Sequence, residues 1–219
     1  MFLAMAAAVS TIAVYELARL TGGSRLAGVI AALLGTALPA LQFFNRTYFG
    51  YLIPCLLLGW LAAYHRRWAW AGLGFGLAFI AYFVSIVPIG LSCLAIAAFH
   101  LRHERWTKWF AFGLSALAPL AFVEGLFFFY TGYPFLWARS TFGLIWRYSG
   151  VVPSSSHSSW AWLIDSLVGS NGWIPSILLL VGIVAPLVLR RRSAGLALSL
   201  TFVGTTVFYV LQAGTGRSP

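Results

Sequence analysis

Apolar residues occupy long blocks nearly free of charge, Glu16 and Glu124 being the exceptions, and most polar positions gather between the blocks instead of alternating within them. That pattern predicts helices that each bury all their faces in an apolar medium. The blocks cover residues 2–17, 26–44, 47–64, 109–130, 173–189 and 194–212, plus one uncharged run of 32 residues from Trp68 to Phe99. As one helix that run would measure roughly 48 Å, against about 30 Å for a bilayer core. Ser85 and Pro88 interrupt it, and proline forfeits a helix hydrogen bond. The run therefore predicts two short helices, 68–84 and 86–99, forming a hairpin that turns near residues 84–87. The whole pattern is that of an all-α, polytopic transmembrane bundle with about eight membrane segments in one domain. The sequence shows no internal repeat.

Residues 131–172 differ in kind. They hold Gly, Pro, six aromatic residues from Tyr133 to Tyr148, and the run Ser154–Ser155–Ser156–His157–Ser158–Ser159. This predicts a loop with interfacial pieces, its Trp and Tyr residues suited to the headgroup zone.

Composition sharpens the membrane reading. Of 219 residues 61% are hydrophobic and 8% charged, where a soluble domain carries about a quarter charged. Four acidic residues, Glu16, Glu104, Glu124 and Asp165, cannot solvate a globular surface of this size. The net charge of +10 does not point to nucleic acid, because the basic residues are dispersed between apolar runs and not collected on one face. They fall instead in alternate turns: Arg19 and Arg25; Arg66 and Arg67; Arg102, Arg105 and Lys108; Arg190 to Arg192. Positive charge marks cytoplasmic loops. This places the N-terminus and the 131–172 loop outside. Cys55 and Cys93 lie inside apolar runs and predict no disulfide. No basic residue precedes the first run, so a cleavable signal is not indicated. An apolar start on the outside has two explanations: an upstream helix and outer loop precede this segment, which is the expectation here, or the first span inserts unaided from Met1.

Several pieces of the chain form an ordered set of motifs. The first piece is Tyr15-Glu16-Leu17-Ala18-Arg19, with Gly23 to Gly28 and Ala31 to Leu34. The second is Leu38-Pro39 leading to Phe43-Phe44-Asn45-Arg46, and a span ending in Tyr64-His65-Arg66-Arg67. The third is Trp70 to Phe79 followed by the short hairpin, with a fainter echo in Gly169 to Gly172 ahead of Pro175. Together they cover about half the chain, and in this order they resemble polytopic glycosyltransferases of the GT-C superfamily, family 39-like, which use lipid-linked sugars. The resemblance implies a bacterial plasma-membrane enzyme that takes a sugar from a polyprenyl phosphate at the outer face, with carboxylate or divalent-metal assistance. It also implies a catalytic carboxylate on a first outer loop, which would precede this chain. Two further family positions lack their polar residue: Thr47, Tyr48 and Phe49 follow Arg46 without an acid, and Ala81, Tyr82 and Phe83 stand where a base is usual.

Such transfer needs a carboxylate to take the acceptor's proton and cations to stabilise the leaving phosphate. The outer side offers Glu124 and Asp165 as carboxylates, and Arg46, Arg139 and Arg147 as phosphate-binding cations. Arginine suits bidentate phosphate contact, and it equally meets lipid headgroups. Glu124 sits within a span, where an ionisable group is costly; an outer arginine is its expected partner, and a structural glutamate the alternative. Asp165 is read first as a solvated or helix-capping residue. Glu16 and Arg19 predict an i,i+3 ion pair. His100 and His103 lack further metal ligands nearby, His157 reads as a solvated loop residue, and Gly72, Gly74 and Gly76 predict close helix packing. Membrane lipids and a polyprenyl-phosphate-linked sugar are the expected partners. The rival readings are a non-catalytic integral subunit of a larger membrane complex, favoured by the scarcity of acids, and, last, a transporter.

Overall fold

The computed structural model describes residues 2–37, 48–81, 86–148 and 193–214, with isolated positions between 168 and 184. Every element within them is helical: α1 (Phe2–Gly22), α2 (Arg25–Ala37), a 3-10 turn (Tyr48–Tyr51), α3 (Leu52–Tyr64), α4 (Trp68–Ala81), α5 (Ile86–Phe99), a 3-10 turn (Leu101–His103), α6 (Trp106–Thr131), α7 (Leu136–Tyr148) and α8 (Ser193–Gly214). Among the described residues three stretches, Ala4–Gly22, Ile86–His103 and Trp106–Thr131, are long and apolar enough to cross a bilayer; α2, α3, α4 and α8 carry shorter apolar stretches. Their outward faces are apolar too. Phe110, Leu114 and Phe122 on α6 are each 67% exposed from the protein. A face of that kind calls for lipid and not water, and the chain is a membrane protein.

Local chemistry sets the turns. α1 runs past Leu17 to Gly22, so Glu16 and Arg19 lie inside it and pair, with both Nε and Nη2 of Arg19 within 2.8 Å of Glu16 Oε2. Gly23 then takes φ +73°, its N–H closing on Arg19 O at 2.9 Å, the left-handed stop that glycine adopts without strain. Ser24 opens α2 by accepting from the Ala27 N–H at 3.1 Å, as an N-cap serine does. The two helices close tightly because Gly28 has no side chain: a Cβ there would sit 2.8 Å from the Tyr15 carbonyl oxygen.

The core is built around α4. Its Gly72 and Gly76, four apart, face α6, where a Cβ on either would overlap Phe112 O, Ser115 Oγ or Ala116 O. Gly74 faces the other way, and a Cβ there would lie 2.8 Å from Gly59 of α3. The rising order of contacts, Gly72 with Phe112 and Gly76 with Pro119, makes α4 and α6 parallel. Phe75 lies 6.3 Å from Trp60 and 6.1 Å from Phe112, edge to face in both cases. Trp60 donates from Nε1 to Ser92 Oγ at 3.2 Å, and Ser92 donates to Pro88 O at 2.7 Å. This polar chain ties α3 to α5 in the buried centre. α8 packs on α5, with Gly204 against Leu91. Although α4 and α5 are consecutive, α4 makes its main contacts with α3 and α6. The hairpin is expected to turn near residues 84–87; residues 82–85 are outside the described residues, and 86 and 87 already belong to α5.

Two of the basic turns meet at one end of this bundle. Arg66 Nη1 is 3.4 Å from Glu104 Oε1, and the Tyr64 and His100 rings are 5.7 Å apart. Arg66 itself takes φ +55°, its N–H on Ala63 O and that of Arg67 on Ala62 O. That is a left-handed helix stop made without glycine, which costs a side-chain-bearing residue about 1–2 kcal/mol.

Replacing Gly76 by Leu forces α4 from α6 and should destabilise the bundle by about 1–3 kcal/mol or more; the surface change Phe110→Leu should leave it within about 0.5 kcal/mol. Unfolding by sodium dodecyl sulfate in mixed micelles, followed by tryptophan fluorescence, reads both.

Candidate functional site

The end of the bundle opposite the Arg66–Glu104 pair is organised by α6 and α7. α6 is 26 residues long, α4 only 14. At 1.5 Å per residue they measure roughly 39 and 21 Å. Because the two run parallel from the same end, the last turns of α6 rise beyond α4. That tip carries Phe127, Phe128, Phe129 and Tyr130, all exposed from the protein. α6 stops at Gly132, with φ +72° and its N–H on Phe128 O at 2.8 Å. Four residues then reverse the chain, including Phe135 at φ +58°.

The reversal brings α7 back down beside Glu124. Glu124 Oε2 accepts a hydrogen bond from the Ala138 N–H at 2.9 Å. Ala138 is the third residue of α7, and the first N–H with an intrahelical acceptor is that of Arg139, on Phe135 O. The carboxylate thus satisfies one of the orphan donors every helix start leaves, and its charge complements the positive end of the α7 dipole. On the same side Trp137 lies edge to face with Phe79 of α4, ring centroids 6.4 Å apart, and Thr141 is buried. α7 is therefore fixed at two points, to α6 through Glu124 and to α4 through Trp137. The other Glu124 oxygen, Oε1, is buried and has no hydrogen-bond partner. An unsatisfied buried acceptor is rare in folded proteins.

The sequence-predicted residues divide accordingly. Glu124 and Arg139 come together at this end, but the carboxylate takes the Ala138 amide and not an arginine; Arg139 is exposed, its own N–H used in the helix. Arg147 lies on α7 two turns farther on, and its side chain is outside the described residues. Arg46 and Asp165 are outside them as well. The 131–172 segment, read as a loop with interfacial pieces, contains a 13-residue helix in its first half. Among the described residues no three His, Cys, Asp or Glu side chains converge as metal ligands. Among the described residues Glu124 is the one carboxylate placed at this end. The anchoring residues Ala138 and Trp137 escaped the sequence reading; one acts through its backbone, which no side-chain motif marks.

Comparison with protein-family models, curated proteins and solved structures returns no match.

Removing the carboxylate should loosen α7 while keeping the bundle. In Glu124→Ala the Ala138 amide loses its acceptor, about 1 kcal/mol by analogy with other helix-start acceptors, and hydrogen exchange across 136–141 should quicken roughly fivefold. Glu124→Gln keeps a carbonyl acceptor and should exchange within twofold of wild type.

Proposed function

We propose that this chain is the membrane-embedded part of a GT-C-type glycosyltransferase, with about eight membrane segments and the basic turns facing the cytoplasm. It transfers a sugar from a polyprenyl-phosphate donor at the outer face. The observation that carries this reading is the divided carboxylate of Glu124: one oxygen is fixed by the Ala138 N–H, and the other is buried without a partner. An oriented carboxylate with a free acceptor oxygen is what proton removal from an acceptor hydroxyl requires. In that step the hydroxyl oxygen attacks the anomeric carbon as its proton passes to Glu124 Oε1. The bond from the anomeric carbon to the phosphate oxygen breaks, and the electron pair leaves with the polyprenyl phosphate. Arg139 and Arg147, carried on the anchored α7, supply positive charge for that phosphate, with Arg46 from the preceding outer turn and Asp165 as a second carboxylate.

One observation favours a second reading, a non-catalytic subunit of a larger membrane complex. Glu124 already has a structural task in holding α7, and the aromatic tip of α6 offers a surface for another chain.

The intact parent protein separates the two. Under the enzyme reading Glu124→Gln lowers kcat by about 10²–10⁴ with α7 still docked. Arg139→Ala and Arg147→Ala then raise KM for the polyprenyl-phosphate sugar roughly tenfold each, the loss of one charge-assisted contact. Wild-type turnover in all three variants, measured by release of polyprenyl phosphate, leaves the subunit reading.

A further inference from the structure

At the opposite end of the molecule an open groove of about 460 Å³ runs along α3 and α4. Its chemistry changes along its length. One end is formed by His65 and Arg67 beside Trp70; the rest is walled by Leu58, Leu73 and Leu77 and floored by Gly74. Gly74 lies where α4 meets α3, its missing side chain letting the backbone of Gly59 and Cys55 come close. Arg67 and His65 are exposed, and the neighbouring Arg66 is turned to Glu104. Trp70 stands 64% exposed along the wall, next to the cationic end, where an amphipathic ring marks a membrane interface.

Length and charge together select the occupant. From Trp68, next to Arg67, to Leu77 α4 rises nine residues, roughly 14 Å, which is about half of a 30 Å hydrocarbon core. The groove therefore runs one leaflet deep, its cationic mouth at headgroup level and its apolar wall where acyl chains lie. A free phosphate would leave the apolar length empty, and a lipid without net charge would leave the Arg67 guanidinium uncompensated. Basic mouths between membrane helices are headgroup sites for anionic lipids.

We propose that this groove binds one anionic glycerophospholipid from the leaflet on the side of the basic turns, its phosphate against Arg67 and His65 and one acyl chain along Leu58, Leu73 and Leu77. The site lies at the end away from Glu124 and does not depend on the transfer chemistry proposed above.

Native mass spectrometry of the purified chain, with added dioleoyl phosphatidylglycerol or dioleoyl phosphatidylcholine, tests it. The phosphatidylglycerol adduct should persist at collision energies that strip phosphatidylcholine. Arg67→Ala should weaken it about fivefold, as expected for one cation near a membrane surface, and Arg67→Lys should restore it. Leu77→Trp, which fills the apolar length, should lower the adduct with the charge intact. Arg102→Ala, which removes a cation outside the groove, should leave it unchanged, and inorganic phosphate should not compete at millimolar concentration. Equal retention of the two lipids, no effect of Arg67→Ala, an equal effect of Arg102→Ala, or competition by inorganic phosphate would each overturn the proposal. Circular dichroism of each variant confirms that the helices are intact before binding is scored.

Discussion

The contact on which the rest depends is the approach of α4 to two neighbours at once. In lipid there is no hydrophobic force to press helices together, since the tails are as apolar as leucine. Association has to come from close packing and from the few polar contacts available. α4 achieves it by carrying glycines on both faces, Gly72 and Gly76 toward α6 and Gly74 toward Gly59 of α3. The facing atoms are largely backbone, so the approach is limited by the main chain itself, and each contact gains dispersion energy that a side chain would hold apart. The aromatic rings of Trp60, Phe75 and Phe112 fill the space alongside.

That packing fixes what happens at both ends. With α4 and α6 parallel and unequal in length, α6 overhangs α4 at one end, and the chain has to turn back to give α7 anything to rest on. The positive φ at Gly132 and Phe135 and the bond from Ala138 to Glu124 accomplish this. At the other end the short turn between α3 and α4 forces Arg66 into a left-handed conformation and sets it beside Glu104. The resulting ion pair is open to solvent on the arginine side, and such pairs contribute little. It orders the turn more than it stabilises the fold, and it leaves Arg67 to face the groove.

The sequence made some of this readable and concealed the rest, for physical reasons. Uncharged runs are long-range composition signals, so the helical class and the division of Trp68–Phe99 into two helices could be read. Glu16 with Arg19, and the Gly72–Gly76 spacing, are local periodicities of a helix and were readable on the same ground. α7 was not, because its 13 residues mix arginine, serine and aromatic side chains, an interfacial pattern that resembles a loop. α1 extends past the apolar block 2–17 to Gly22, because the charge of Arg19 is answered within the helix by Glu16. Glu124 could be singled out as a costly intramembrane acid, but its partner could not. A backbone amide fourteen residues away has no sequence signature, and it becomes available only through the reversal at 132–135.

The identity of that acid carries further weight. A helix start needs only an acceptor, and serine, threonine, asparagine or glutamine supplies one with less desolvation than a carboxylate. Holding α7 therefore explains an oxygen at position 124 but not a glutamate. The excess is the second oxygen, Oε1, buried and unpartnered. In an apolar setting an unanswered acceptor costs about 1–3 kcal/mol, a deficit a glutamine could reduce by being uncharged. The glutamate is consistent with an occupant that brings a proton donor or a cation to Oε1, and this supports the proposed role in deprotonating an acceptor hydroxyl. The same bond that anchors α7 also fixes the direction in which Oε1 points, so at this end the element that completes the fold and the group proposed for the chemistry are one side chain.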